Sequence, residues 1–197
     1  MSKKEVILRA AMWLFSEKGF KDTSMIELSK MTGAAEGTIF YHFKNKEDLF
    51  LSTLESVKNE IIDQFEHYFR ETMFETGLHM IEGAILFYLN LAGAMGDQFL
   101  LLHRHDAYEI AKANSTCREH LEAVYNCLLD IFERAIVRGQ QDGSIRSVSP
   151  RKTALIIFSM VDGLVRIETY NLYHAGSLYE QLKDLCRRML QNGKPLE

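Results

Sequence analysis

Two short stretches carry residues whose types and spacing could do chemistry. The first is His103-Arg-His-Asp106, with Tyr108 and Glu109 just beyond. On one helix, His103 and Asp106 share a face at i, i+3, and His105 and Glu109 share another at i, i+4. Either pair could give a metal two ligands, but zinc sites take three or four protein ligands. No further ligand is visible at a suitable spacing, so a surface or pocket-lining histidine is the expectation and no metal is assigned. No nucleophile elbow, phosphate loop, dinucleotide fingerprint or metalloprotease motif occurs, and neither enzymatic activity nor a cofactor is expected. Cys117, Cys127 and Cys186 form no CxxC pair. A sparse, odd set of this kind fits buried inert thiols in a reducing cytoplasm better than a disulfide framework.

The second stretch runs from Ala35 to Lys46. Ala35, Glu36, Gly37 and Thr38 are small or polar, and Tyr41, His42 and Lys46 follow as a polar, cationic cluster. At the start of a helix the first four can approach a base edge closely. The Thr38 hydroxyl can donate or accept there, and its methyl can meet a thymine methyl. Tyr41, His42 and Lys46 suit phosphate oxygens. Backbone N–H groups beside Lys46, and beside Thr23 and Ser24 further upstream, favour phosphate as helix N-termini do. Plainer roles stand next to these: Tyr41 and Phe43 as packing for a small core, and His42 as a surface histidine.

Such residues need helices to present them, and the sequence supplies the punctuation. Ser2 with Glu5 makes a capping box, followed by Val6, Ile7, Ala10, Ala11, Leu14 and Phe15 on one face and Gly19 as a left-handed stop. Ser24, with Glu27 three residues on, opens a short helix through about Met31 that Gly33 breaks. A third helix is expected from Ala35 to about Phe43, and Asn45 with Asp48 reads as the cap of a fourth. A short helix, a glycine turn and another short helix is the pattern of a helix-turn-helix. Phe20, Met25, Ile26, Leu28, Ile39, Phe40 and Phe43 are the apolar positions for its small core, which is marginal alone and should lean on the next helix along.

Residues 24 to 50, together with Ala10-Ala11, Phe15 and Gly19-Phe20, closely resemble the DNA-binding signature of the TetR/AcrR transcriptional regulators. Gly33, Gly37-Thr38, Tyr41-His42-Phe43, Lys46-Glu47 and Leu49 form the ordered match. The resemblance covers about a quarter of the chain, and the remainder is similar only in helical layout and length. It implies a homodimeric repressor with a divergent ligand pocket in its larger domain. On this footing Thr23, Ser24, Ala35, Glu36, Gly37, Thr38, Phe40, Tyr41, His42 and Lys46 are the expected DNA contacts. Two positions depart from the family. Phe40 stands where tyrosine is frequent, which removes a hydroxyl. Glu36 stands where many members are neutral or basic; its carboxylate repels phosphate but can accept from cytosine N4.

The expected architecture is all-α: a helix-turn-helix DNA-binding domain over residues 1–46, then a ligand-binding and dimerisation bundle over 47–197. Phe50, Leu54, Val57, Ile61, Phe65 and Phe69 keep one stripe of the fourth helix apolar to about residue 70, a length suited to a mechanical link. Further helices are expected at about 77–93, 97–113, 119–140, 149–173 and 176–190. From Ala154 to Ile167 the sequence is apolar almost all round, so that helix must be covered on every side. With 119–140 it is the expected seam of a two-fold homodimer, against the alternative of a buried helix in a monomer. Aromatics and methionines crowd residues 65 to 100, mostly as core. Tyr68, Tyr88, His103, Tyr125 and Asp162 are the candidate polar points of a small-molecule pocket, with helix packing or dimer contact an equal alternative for Asp162.

The 197-residue chain is 47% hydrophobic and carries a net charge of −4. Residues 1–48 hold eight Lys/Arg against seven Asp/Glu, and the rest holds fifteen against twenty. An acidic total does not exclude DNA binding, because the electrostatic footprint is local. Arg9 and Glu17 interrupt the first apolar stretch too early for a signal peptide. The run from Ala84 to Met95 is shorter than the ~20 residues of a membrane span. The expectation is therefore a cytoplasmic, ligand-responsive repressor that binds a palindromic operator in double-stranded DNA, released by an unidentified apolar or amphipathic effector, with no membrane association. The rival from another class is a helical small-molecule binding protein whose DNA head no longer works. Failure to bind any DNA even at low salt discriminates the two.

Overall fold

The structure, a computed structural model, describes residues 2–191; the outer ends of the two expected domains, residue 1 and residues 192–197, lie outside them. The described residues are helical throughout, with no strand. They form two compact units: residues 2–63 with 96–124, and 64–95 with 125–191.

The first unit opens with α1 (Lys3–Asp22), started by the Ser2/Glu5 capping box. Gly19 takes φ +82°, as its expected left-handed role requires, but the helix resumes for three residues beyond it. The short α2 (Met25–Thr32) is capped by Ser24, whose hydroxyl accepts from Glu27 N–H at 3.1 Å, and it ends at Gly33 with φ +66°. After it come α3 (Glu36–His42) and α4 (Lys46–Glu71). Asn45 Oδ1 accepts from Asp48 N–H at 2.8 Å, the expected cap. Ile7, Ala11, Leu14, Phe15, Leu28, Ile39, Phe43, Leu49 and Phe50 are buried together as the unit's core. Phe50 meets Phe15 and Phe20 edge-on at 5.1 and 5.3 Å between ring centres. Phe40, expected in that core, is 46% exposed.

The helix expected over 97–113 is two. α6 (Gly96–His103) stops at Arg104, which is extended at φ −67°, ψ 140°, and α7 (His105–Ala113) starts again beyond it. Arg104 leaves the helix because its guanidinium reaches the Ser16 and Glu17 carbonyls of α1, at 2.7 and 3.2 Å. This break also separates His103 from Asp106, so the two share no helix face.

The second unit holds residues 64–71 of α4, α5 (Gly77–Ala94), residues 125–142 of α8 (Ser115–Asp142), α9 (Pro150–Thr169), a 3-10 turn at Ala175–Leu178 and α10 (Tyr179–Leu190). α9 ends four residues before the expected position, at a turn in which Asn171 has φ 54°. The stretch opening at Ala175 is 3-10 before it becomes α10. Asp142 accepts from Gly77 N–H at 2.7 Å and ties α8 to the start of α5. Arg187 of α10 holds the largely buried Glu82 of α5 with two donors. By length and composition, α5 is the one described helix apolar enough to cross a membrane, but more than half of it is buried inside the protein, as in a core helix.

Burial pushes the thiols of Cys117, Cys127 and Cys186 up to about 11. At pH 8 the reactive thiolate is then on the order of a thousandth of each. An alkylating reagent followed by mass spectrometry should label all three quickly in urea and leave the native protein essentially unmodified. Rapid labelling of native Cys186 would contradict this burial.

Candidate nucleic-acid interface

The turn between α2 and α3 is built by local hydrogen bonds. Ser29 Oγ donates to Ala34 C=O at 2.7 Å, and Thr32 Oγ1 donates to Leu28 C=O at 2.7 Å. Gly33 supplies the left-handed step that ends α2, which costs glycine little. α3 is anchored by only two side chains, Ile39 and Phe43, both essentially buried. The other positions of α3 are exposed or half-buried, and they define a presented surface.

Ala35, Glu36, Gly37, Phe40 and Tyr41 are exposed, and Thr38 and His42 are half-buried. Tyr41 is 85% exposed, so the core-packing alternative for it is removed; Phe43 is the core residue of the pair. The Tyr41 ring meets its neighbour His42 edge-on, at 5.2 Å between ring centres. Nothing lies within 4 Å of where a Cβ would sit on Gly37. Gly37→Ala should therefore stabilise the isolated protein, by up to about 1 kcal/mol from helix propensity. If α3 closely approaches DNA, the same variant binds DNA more weakly. Calorimetry and a DNA titration separate the two effects, and unchanged DNA affinity would remove Gly37 from the contact surface.

Ser24 is exposed at the start of α2, but Thr23 is buried. The Thr23 hydroxyl donates inward to Gly19 C=O at 2.7 Å and to Leu14 C=O at 3.2 Å, so this side chain is occupied in closing the α1–α2 corner. Lys46 is also engaged. Its Nζ donates to the Lys21 and Thr23 carbonyls at 3.1 and 3.0 Å and sits 4.7 Å above the Phe20 ring. These contacts brace the corner between α1 and α2. Thr23 and Lys46, expected to face outward to phosphate, thus have an inward role as well. Gly19 was its one signal: a left-handed residue in mid-helix leaves backbone groups that something must satisfy.

The candidate pocket residues divide between the units. His103 is buried in the first, near Phe99. Tyr68, Tyr88, Tyr125 and Asp162 belong to the second. Tyr88 and Asp162 are brought together, the buried tyrosine donating to Asp162 Oδ1 at 2.6 Å. Tyr68 stacks on Phe87 at 4.1 Å, and burial raises its pKa. Tyr125 lies edge-on to Phe158. None of the five lines either of two grooves in the first unit, of about 710 and 410 Å³. Among the described residues no three His, Cys, Asp or Glu are grouped to hold a metal. His105 does meet Glu109, at 3.3 Å, but Lys112 shares the same carboxylate oxygen.

Comparison with known proteins agrees with this geometry. Residues 7–53 match the family model for bacterial regulatory proteins of the tetR family. Over 160 residues the chain is 26% identical to the fatty acid metabolism regulator protein of Bacillus subtilis, covering 81% of this chain and 79% of that protein. The fold superposes on the regulator FadR from Bacillus subtilis in complex with stearoyl-CoA, with a TM-score of 0.73, 22% identity and coverage of 92% and 96%. It also superposes on a regulator from Saccharomonospora viridis in complex with choline, with a TM-score of 0.84, 18% identity and coverage of 96% and 98%. At these identities the superpositions establish the fold.

Proposed function

The chain belongs to the tetR family of bacterial regulatory proteins, and from that premise we propose that it is a ligand-responsive repressor acting in the cytoplasm as a homodimer on a palindromic operator. The observation that carries this reading is the outward face of α3: Glu36, Gly37, Phe40 and Tyr41 are exposed, with Tyr41 almost fully solvated, while Ile39 and the C-cap residue Phe43 lock the helix to the core. In a helix-turn-helix that second helix enters the major groove, and paired half-sites lie one helical turn, about 34–36 Å, or slightly more apart. Residues 1–46 carry the DNA contacts, and 47–197 carry the effector site and the dimer seam.

The dimer is supported by α9. Ala154, Ile157, Val161 and Val165 bury one side of it, while Leu155 and Ile156 remain 51% and 53% exposed on the other. Val137 of α8 is exposed too. Large aliphatic side chains left open on a broadly apolar helix suit a second copy of the same surface. The effector class rests on the second unit's aromatic cluster of Phe65, Tyr68, Phe69, Phe74 and Phe87, which favours an apolar or amphipathic molecule. A ligand that prefers one dimer conformation shifts operator affinity by its differential binding, typically 1–3 kcal/mol.

Selection from a random library of 40-base-pair duplexes tests the reading. An inverted repeat should enrich, bound by two chains. Enrichment of nothing by a folded protein at low salt would sink the repressor and favour a binding protein with a silent head.

A further inference from the structure

The corner that launches the helix-turn-helix is completed from elsewhere in the chain. In an unbroken helix the Ser16 carbonyl and the Phe20 N–H would be each other's partners. Gly19, at φ +82° and ψ 173°, breaks α1 between them. Two side chains at the α6–α7 junction occupy the parted groups. Arg104 Nη1 donates to Ser16 C=O at 2.7 Å and to Glu17 C=O at 3.2 Å. Asp106 Oδ2 accepts from Phe20 N–H at 2.9 Å. The two side chains lie 3.8 Å apart as an ion pair, about three-quarters buried. A Cβ on Gly19 would sit 2.3 Å from Asp106 Oδ2 and 2.8 Å from Arg104 Nη2, so the bare glycine is what lets them in.

The chain beyond the break is held in turn. Thr23 closes onto Gly19 C=O, and Lys46 holds the Lys21 and Thr23 carbonyls. Ser24 then caps α2. The direction in which the chain enters the helix-turn-helix therefore depends on α1 staying broken, and the broken state depends on partners about 86 residues away in sequence.

We propose that Arg104 and Asp106 are positioning residues for DNA binding: by completing the interrupted hydrogen-bond ladder of α1 at Gly19, they set where α2 and α3 begin. This rests on the function proposed above. A merely structural pair would affect stability alone. A positioning pair makes stability and DNA binding separable, because α1 has an alternative: with alanine at position 19 and the pair removed, Phe20 N–H can return to Ser16 C=O and the helix can run straight.

The test compares wild type, Gly19→Ala, Arg104→Ala/Asp106→Ala and the triple variant, by thermal melting and by titration with the duplex that wild type enriches. Binding is measured well below each melting point, with folding checked by circular dichroism. Gly19→Ala should be destabilised, since its Cβ meets both side chains at a positive φ. In the triple variant the same substitution should instead raise the melting temperature above that of the double variant, yet affinity for the duplex should stay at least about tenfold below wild type. Asp106→Asn, which keeps an acceptor for Phe20 N–H, should bind within about threefold of wild type. A triple variant that binds as tightly as wild type would overturn the proposal while leaving the repressor reading intact, as would Asp106→Asn binding as weakly as the triple variant. A wild type that enriches no duplex would overturn both.

Discussion

Tyr41→Ala is expected to weaken operator binding by about a hundredfold or more while leaving the protein as stable as before. Its side chain is 85% exposed and meets the His42 ring edge-on, and surface substitutions of this kind usually change stability by less than about 0.5 kcal/mol. A hydroxyl bonded to a phosphate is a hydrogen bond to a charged group, worth about 1.5–3 kcal/mol. A two-fold dimer loses it twice, and about 3 kcal/mol already exceeds a factor of 100 in the dissociation constant. Because a phosphate contact carries no sequence information, the loss should be similar on operator and unrelated duplexes. Tyr41→Phe separates the hydroxyl from the ring. Unchanged affinity in both variants, measured by fluorescence anisotropy, would place the interface elsewhere.

The largest expected effect on stability lies in the second unit, at Gly77. A Cβ there would sit 2.1 Å from Gly139 N, 2.4 Å from Ala135 C=O and 2.4 Å from Gly139 Cα. All three are backbone atoms of α8, so no side chain can swing away and the two helices themselves must separate. Overpacking typically costs about 1–3 kcal/mol and more where nothing yields. Separation also strains the Gly77 N–H to Asp142 bond at 2.7 Å. Gly77→Ala should therefore cost about 3 kcal/mol or more, a large part of the 5–15 kcal/mol total typical of a domain. Gly93→Ala is the control: it lies near the end of the same helix with nothing within 4 Å, and there alanine should be neutral or slightly stabilising. Equal urea midpoints for the two variants would contradict the close approach of α5 and α8.

The head was legible because its signals are local. Ser2 with Glu5, Ser24 and Asn45 each start a helix through atoms three residues away, and Gly33 stops one through its own positive φ; all four act in the structure as their types imply. Ile39 and Phe43 pack as the helical period demands. The burial of Thr23, the inward grip of Lys46 and the break at Arg104 were not legible. Thr23 folds back on Gly19 only because α1 breaks there, and the partners of Lys46 and Arg104 are ones that no period announces, 88 residues distant in the case of Arg104 and Ser16. A run such as Leu102-His-Arg-His105 has ordinary helical propensity, and only the stranded carbonyls of α1 make it stop. Asp162 illustrates the same limit in the second unit. Its carboxylate inside an apolar helix required a partner, and the fold supplies Tyr88, a residue the sequence had named only as another candidate for the pocket.

The central claim is that the exposed face of α3 reads the major groove at two half-sites, and methylation interference on the enriched duplex tests it most directly. Methyl groups at guanine N7 lie in the major groove, and those at adenine N3 lie in the minor groove. N7 methylation within either half-site is predicted to abolish binding, in two clusters about one helical turn or slightly more apart, while N3 methylation is tolerated. Interference confined to N3 positions, or a single cluster without its symmetric partner, would contradict it.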